Sequence, residues 1–119
     1  MNDYHQICKK VIDSIKSTPE AIVFSEVIAF IEDHYDFKPK AFTNGNTYND
    51  AGQNNGSCKV FAFGILNGLT EKEMLACFGD YYRKDVLQNP EGTDHQNIRN
   101  FIQTGWEGIC FEGEALRER

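Results

Sequence analysis

The chain has 119 residues, two fifths of them apolar, with nine Phe, five Tyr and one Trp; this suits one compact domain over residues 1–119 and excludes a disordered chain. Twelve basic residues against eighteen acidic ones leave a net charge of −6, which argues against nucleic acid, whose phosphates demand a basic face, and against an anionic membrane surface. No apolar run approaches the roughly 18 residues needed to cross a bilayer, and Met1 to Lys10 has no signal-peptide core, so the expected location is the cytoplasm.

In chain order, Tyr4, Ile7, Cys8, Val11, Ile12 and Ile15 recur at helical spacing and predict an amphipathic helix. Ser17-Thr18-Pro19-Glu20 stops it and opens a second, with capping-box spacing between Ser17 and Glu20. The buried stripe of that helix is Val23, Phe24, Val27, Ile28, Ile31 and Tyr35. After Lys38-Pro39, the segments Lys40–Thr43 and Asn46–Tyr48 flank Asn44-Gly45, a strong hairpin signal. Asn49 to Gly56 has no apolar period and reads as a loop. It leads into a helix capped by Ser57 or Asn55 that is apolar nearly all round from Val60 to Leu66, the central buried element.

Thr70-Glu71-Lys72-Glu73 has capping-box spacing and starts a fourth helix, with Met74, Leu75, Phe78, Tyr82 and Val86 as its stripe and a loosening at Gly79. Asn89-Pro90-Glu91-Gly92 is a turn. Thr93-Asp94-His95-Gln96 opens a fifth helix carrying Ile98, Phe101 and Ile102, which Gly105 ends. Ile109 to Glu112 reads as a strand pairing with the hairpin, and Gly113 to Arg119 as a frayed tail. The fold class is mainly α (α+β): about five helices around a central buried one, with a small two- or three-stranded sheet.

The cysteines at 8, 58, 77 and 110 are far apart with no CxxC, and the histidines at 5, 34 and 95 are dispersed. Reduced thiols are expected, with no metal site and no cofactor. The phosphate-loop pattern GxxxxGK[ST] is absent.

Three blocks carry a family resemblance: Asn49-Asp50-Ala51-Gly52-Gln53-Asn54-Asn55-Gly56-Ser57-Cys58-Lys59-Val60-Phe61-Ala62-Phe63, Cys77 to Leu87, and Gly92 to Phe101, with Trp106 and Gly108 after them. Together they resemble the HopJ type III effector family. That resemblance implies delivery to host cells by type III secretion as an alternative to residence in the cytoplasm; it implies no particular reaction. An amphipathic pattern from about residue 4 differs from the flexible, Ser-rich start of usual export signals.

Four polar features offer chemistry. The loop Asn49, Asp50, Gln53, Asn54, Asn55 and Ser57 feeds a helix start, whose N–H groups attract anions or carbonyl oxygens; the same residues also serve as turns and caps. Cys58, beside Lys59 in the first turn, is a candidate nucleophile with His95 as base and Asp94 or Asp50 as orienting group, or simply a buried cysteine. Asp80, Tyr82 and Arg83 suit a carboxylate or phosphate, unless Arg83 pairs internally with Asp50, Asp80 or Asp94. Asp94, His95, Asn97 and Arg99 stand at the fifth helix start. The expected function is a binding or regulatory module for a small polar ligand or protein partner, using the Asn49–Cys58 loop, Arg83 and His95. The alternative is a cysteine-dependent hydrolase or transferase built on Cys58, His95 and Asp94.

Overall fold

The computed structural model describes the backbone of residues 3–118 and side chains from Lys9 onward. The expected side-chain stripe of Tyr4, Ile7 and Cys8, and His5 with it, therefore lies outside the described residues, while the backbone there is helical in α1 (Asp3–Ser17). Ile15 of α1 is fully buried and Val11 and Ile12 half-buried, as the periodicity requires.

The second helix is shorter than its sequence suggests. Pro19–Ala21 forms a single 3-10 turn, Ile22 and Val23 are extended, and α2 runs Phe24–His34 with no side-chain cap. The local capping option at Ser17 loses to a tertiary one: Arg83 Nη1 donates to Pro19 O at 3.1 Å and Nη2 to Ile22 O at 2.7 Å, which fixes this stretch outside the helix. Val23 is consequently 45 % exposed rather than buried. Tyr35 is buried, as expected, but as the first residue of strand β1 (Tyr35–Phe37).

The hairpin forms from β2 (Phe42–Asn44) and β3 (Thr47–Asn49), with Phe42 opposite Asn49 and Asn44 opposite Thr47. Its turn is Gly45-Asn46, one residue later than expected. Gly45 takes φ +63, which suits the first central position of a type II′ hairpin turn. Asn44 is thereby a buried strand residue.

Central helix α3 (Asn55–Asn67) buries Cys58, Val60, Phe61, Ala62, Phe63 and Gly64. Phe61 is its hub, with ring centroids 5.3 Å from Phe78, 5.2 Å from Phe101, 6.0 Å from Phe42 and 6.3 Å from Trp106. Ile65 and Leu66, read as part of an all-round apolar helix, are instead about half exposed at its end.

The Thr70 capping box is present: Thr70 Oγ1 accepts from Glu73 N and Glu73 Oε1 from Thr70 N. It starts α4 (Glu71–Ala76). The stripe then breaks at Gly79, which takes φ +60, and resumes as a π-helical turn over Tyr81–Val86. Helix α5 (Gln96–Thr104) follows, then a 3-10 turn over Gly105–Gly108.

Strand β4 (Ile109–Phe111) joins β2 on the side away from β3, giving the antiparallel order β3-β2-β4. The C-terminal segment is not frayed as expected. Leu116–Glu118 forms β5, antiparallel to β1 with Phe37 opposite Leu116, and Ala115 and Leu116 are buried. The fold is α+β: four α-helices and the π-helical turn around α3, with two small sheets among the described residues. No described helix is long and apolar enough to cross a membrane.

Candidate functional site

Helices α3 and α5 begin in the same unusual way. The residue before each, Asn54 at φ +53 and His95 at φ +51, adopts a left-handed backbone, and among the described residues these are the two non-glycine positions to do so. Neither helix start has a side-chain cap. Asparagine and histidine tolerate this region better than most residues, yet the conformation still costs free energy and collects at functional positions.

Each approach is locked locally. Before α3, Gln53 Oε1 accepts from Asp50 N and Gln53 N donates to Asp50 O, both at 2.9 Å. Before α5, Arg99 Nη2 donates to Asp94 Oδ1 and Nε to Asp94 O, both at 2.6 Å, and Nη1 donates to Asn89 O at 2.8 Å. The hydrogen bonds from Arg99 hold the Asp94 carboxyl below the usual carboxylate range. His95 Nε2 lies 3.1 Å from Asp85 Oδ2, and its ring packs 5.0 Å from that of Tyr81.

An amide network ties the two helix starts to the hairpin. Asn97 Oδ1 accepts from Asn44 Nδ2 at 2.9 Å and Asn49 Nδ2 at 3.2 Å, while Asn49 Oδ1 accepts from Asn97 Nδ2 at 3.1 Å and Asn54 Nδ2 at 2.7 Å. Asn44, Asn49 and Asn97 are all buried, which makes such pairing obligatory. Asn44 Oδ1 is the one buried side-chain polar atom among the described residues without a protein partner.

Between the helix starts lies a hollow of about 380 Å³. Asn49, Asn54, Ser57, His95 and Asn97, all singled out from sequence, line it together with aromatic residues Phe24, Phe78 and Tyr81. Gly56 lets α3 approach Phe24: a Cβ there would stand 3.2 Å from the Phe24 ring. The sequence reading missed Phe24, which looked like core, and Asn44, which looked like a turn residue.

Other expected site residues point elsewhere. Arg83 lies in an adjoining hollow of about 210 Å³ with Asp80, which it pairs at 3.3 Å, while Phe24 and Tyr81 form the shared wall. The internal pairing of Arg83 is thus with Asp80, not Asp50 or Asp94. Lys59 reaches Glu32 at 2.9 Å and lies over the Phe37 ring. Tyr82 packs against the core, and Asp50, Gln53 and Asn55 are exposed outside the hollow. The helix cap is neither Ser57 nor Asn55 but the left-handed Asn54.

Cys58 does not line the hollow. It is 1 % exposed, and its Sγ donates to Lys40 O at 3.7 Å. Burial pushes this thiol up from its ordinary pKa, opposite to the shift that activates a nucleophile. Cys77, also buried, is pushed up to about 12. Exposed Cys110 should therefore react quickly with a thiol reagent at mildly alkaline pH, while Cys58 and Cys77 react only after unfolding. Rapid labelling of Cys58 in folded protein, located by peptide mass, would contradict this. Because both folded-state values are raised, their stabilising contribution is complete below the unfolded thiol value, about 8.5, and declines above it. Among the described residues no cluster of three His, Cys, Asp or Glu side chains could hold a metal ion.

Relatives agree with this architecture. A crystal structure titled as that of the unknown-function protein VPA0580 is 60 % identical, with a TM-score of 0.92 over 93 % of this chain and 92 % of that one. No curated protein matches the chain. The family model described as HopJ type III effector protein matches residues 8–116, which takes in both helix starts, the hairpin and the hollow they enclose. The chain belongs to the HopJ family.

Proposed function

We propose that the protein is a binding module that holds a small polar ligand bearing a carboxylate or similar oxygen acceptor in the hollow between α3 and α5. The observation that carries this reading is that two uncapped helix starts, each preceded by a left-handed residue, border one hollow. Helix N-termini offer unpaired N–H groups and a partial positive charge. Ser57 adds a hydroxyl, and the Phe24 and Tyr81 rings supply an apolar wall for the ligand body. Arg83 acts at one remove, by holding the Pro19–Ile22 stretch that leads to Phe24.

The test is a thermal-shift screen of organic acids and phosphate monoesters, repeated on Ser57→Asp. That variant places a carboxylate in the first turn of α3, where the helix tolerates or favours it by about 0.3–1 kcal/mol. It should fold with unreduced stability and lose the response to any acid that raises the melting temperature of the parent. A panel without a hit, or a hit that responds equally in Ser57→Asp, counts against the proposal.

A further inference from the structure

The chain contains three Asn-Gly steps, at 44–45, 55–56 and 67–68. This dipeptide is the one most prone to spontaneous deamidation, because glycine offers no side chain to hinder its own nitrogen. The Gly main-chain nitrogen attacks the Asn side-chain Cγ and forms a C–N bond. The side-chain amide leaves as ammonia, the nitrogen having given up its proton to solvent, and a five-membered succinimide remains. Water then opens either carbonyl, giving aspartate or isoaspartate. The step needs both partners at liberty: an Asn amide free to turn and a Gly N–H not engaged elsewhere.

Two of the three sites are tied at both ends. Asn44 is fully buried, its Nδ2 bonded to Asn97 O and Oδ1, while Gly45 N donates to Gly108 O at 2.9 Å. Asn67 Nδ2 donates to Phe63 O at 2.9 Å and Tyr35 Oη at 3.2 Å, and Gly68 N donates to the carbonyls that end α3. Asn55 differs in every respect. Its side chain is exposed, and among the described residues no partner holds its amide. Gly56 is the second residue of α3, ahead of the first helical N–H bond, which runs from Cys58 N to Asn54 O. Turning the Asn55 backbone out of its helical conformation opens only an uncapped first turn, the least costly opening a helix has.

We infer that Asn55-Gly56 is a self-modification site, at which the folded protein converts Asn55 to aspartate or isoaspartate while Asn44 and Asn67 stay intact. The product stands beside the hollow, next to Asn54 and Gly56 in its wall. A carboxylate there would occupy the same helix start as the proposed ligand, and the extra backbone methylene of isoaspartate would displace Gly56 from the Phe24 ring. That consequence rests on the binding reading; the reaction itself does not.

Peptide mapping of full-length protein held at mildly alkaline pH and body temperature for days tests it. In folded protein the mass gain of about one dalton, with isoaspartate, should appear at Asn55 at least ~10-fold faster than at Asn44 or Asn67, since each tied amide must first lose two hydrogen bonds. In urea all three sites should react at similar rates, and Asn55→Gln should lose the signal at its position in both states. Equal rates at the three sites in folded protein, or an Asn55 protected when folded but reactive when unfolded, would overturn the inference. Loss of ligand response after complete conversion would bear on the hollow alone, which keeps the two readings separable.

Discussion

Gly79→Ala is expected to destabilise the protein by about 3 kcal/mol, from two sources that act together. At φ +60 an L side chain costs about 1–2 kcal/mol relative to glycine. The new Cβ would also stand 2.9 Å from Phe24 N and 3.3 Å from Ile22 O, both main-chain atoms that cannot rotate away. Relieving that overlap costs about 1–3 kcal/mol more. Gly68→Ala separates the two sources. Gly68 has nearly the same φ, +64, but nothing within 4 Å of its Cβ, so it should lose only the first 1–2 kcal/mol. Equal denaturation midpoints for the two variants would show that the approach of Phe24 to Gly79 contributes nothing. Because Phe24 walls the hollow, Gly79→Ala should also weaken binding of any ligand held there.

Asn97→Ala is expected to cost about 3 kcal/mol, although alanine is the better helix former. Asn97 is 8 % exposed and serves Asn44 and Asn49, which are 0 % and 1 % exposed. Truncation removes three hydrogen bonds, one each from Asn44 Nδ2, Asn49 Nδ2 and Asn49 Oδ1, while each group keeps one other partner: Asn97 O, Phe42 O and Asn54 Nδ2. Each buried hydrogen bond lost costs about 0.5–1.5 kcal/mol, and the gain in helix propensity returns only a few tenths. Chemical denaturation measures the loss. A change under 1 kcal/mol would mean that water replaces the amide without penalty, and the hairpin would then not be tied to α5 through this residue.

What was legible in the sequence was whatever is decided locally. The Thr70–Glu73 capping box, the hairpin around Gly45, the strand at Ile109 and the buried α3 each follow from neighbours a few residues apart. What was hidden depends on distant partners. The pairing of Leu116–Glu118 with Tyr35–Phe37 joins segments far apart in the chain, and a three-residue strand carries too little periodicity to announce it. The hydrogen bonds from Arg83 to Pro19 and Ile22 displaced a helix start that local capping favoured. At the site, the Asn- and Gly-rich loop and the His95 segment were visible as clusters of polar residues, and Asn49, Asn54, Ser57, His95 and Asn97 do meet. Cys58 went astray because neighbouring residues on a helix point about 100° apart. One step from Ser57 turns the thiol from the hollow toward Lys40.

The most direct measurement is an amide nitrogen–proton NMR titration with the acid that gives the largest thermal shift. Bound in the hollow, its acceptor should move the resonances of Gly56, Ser57, Gln96 and Asn97 together, along one saturation curve. Shifts confined to another surface, such as the Lys38–Leu116 groove, with those four resonances still, would contradict a site between the two helix starts.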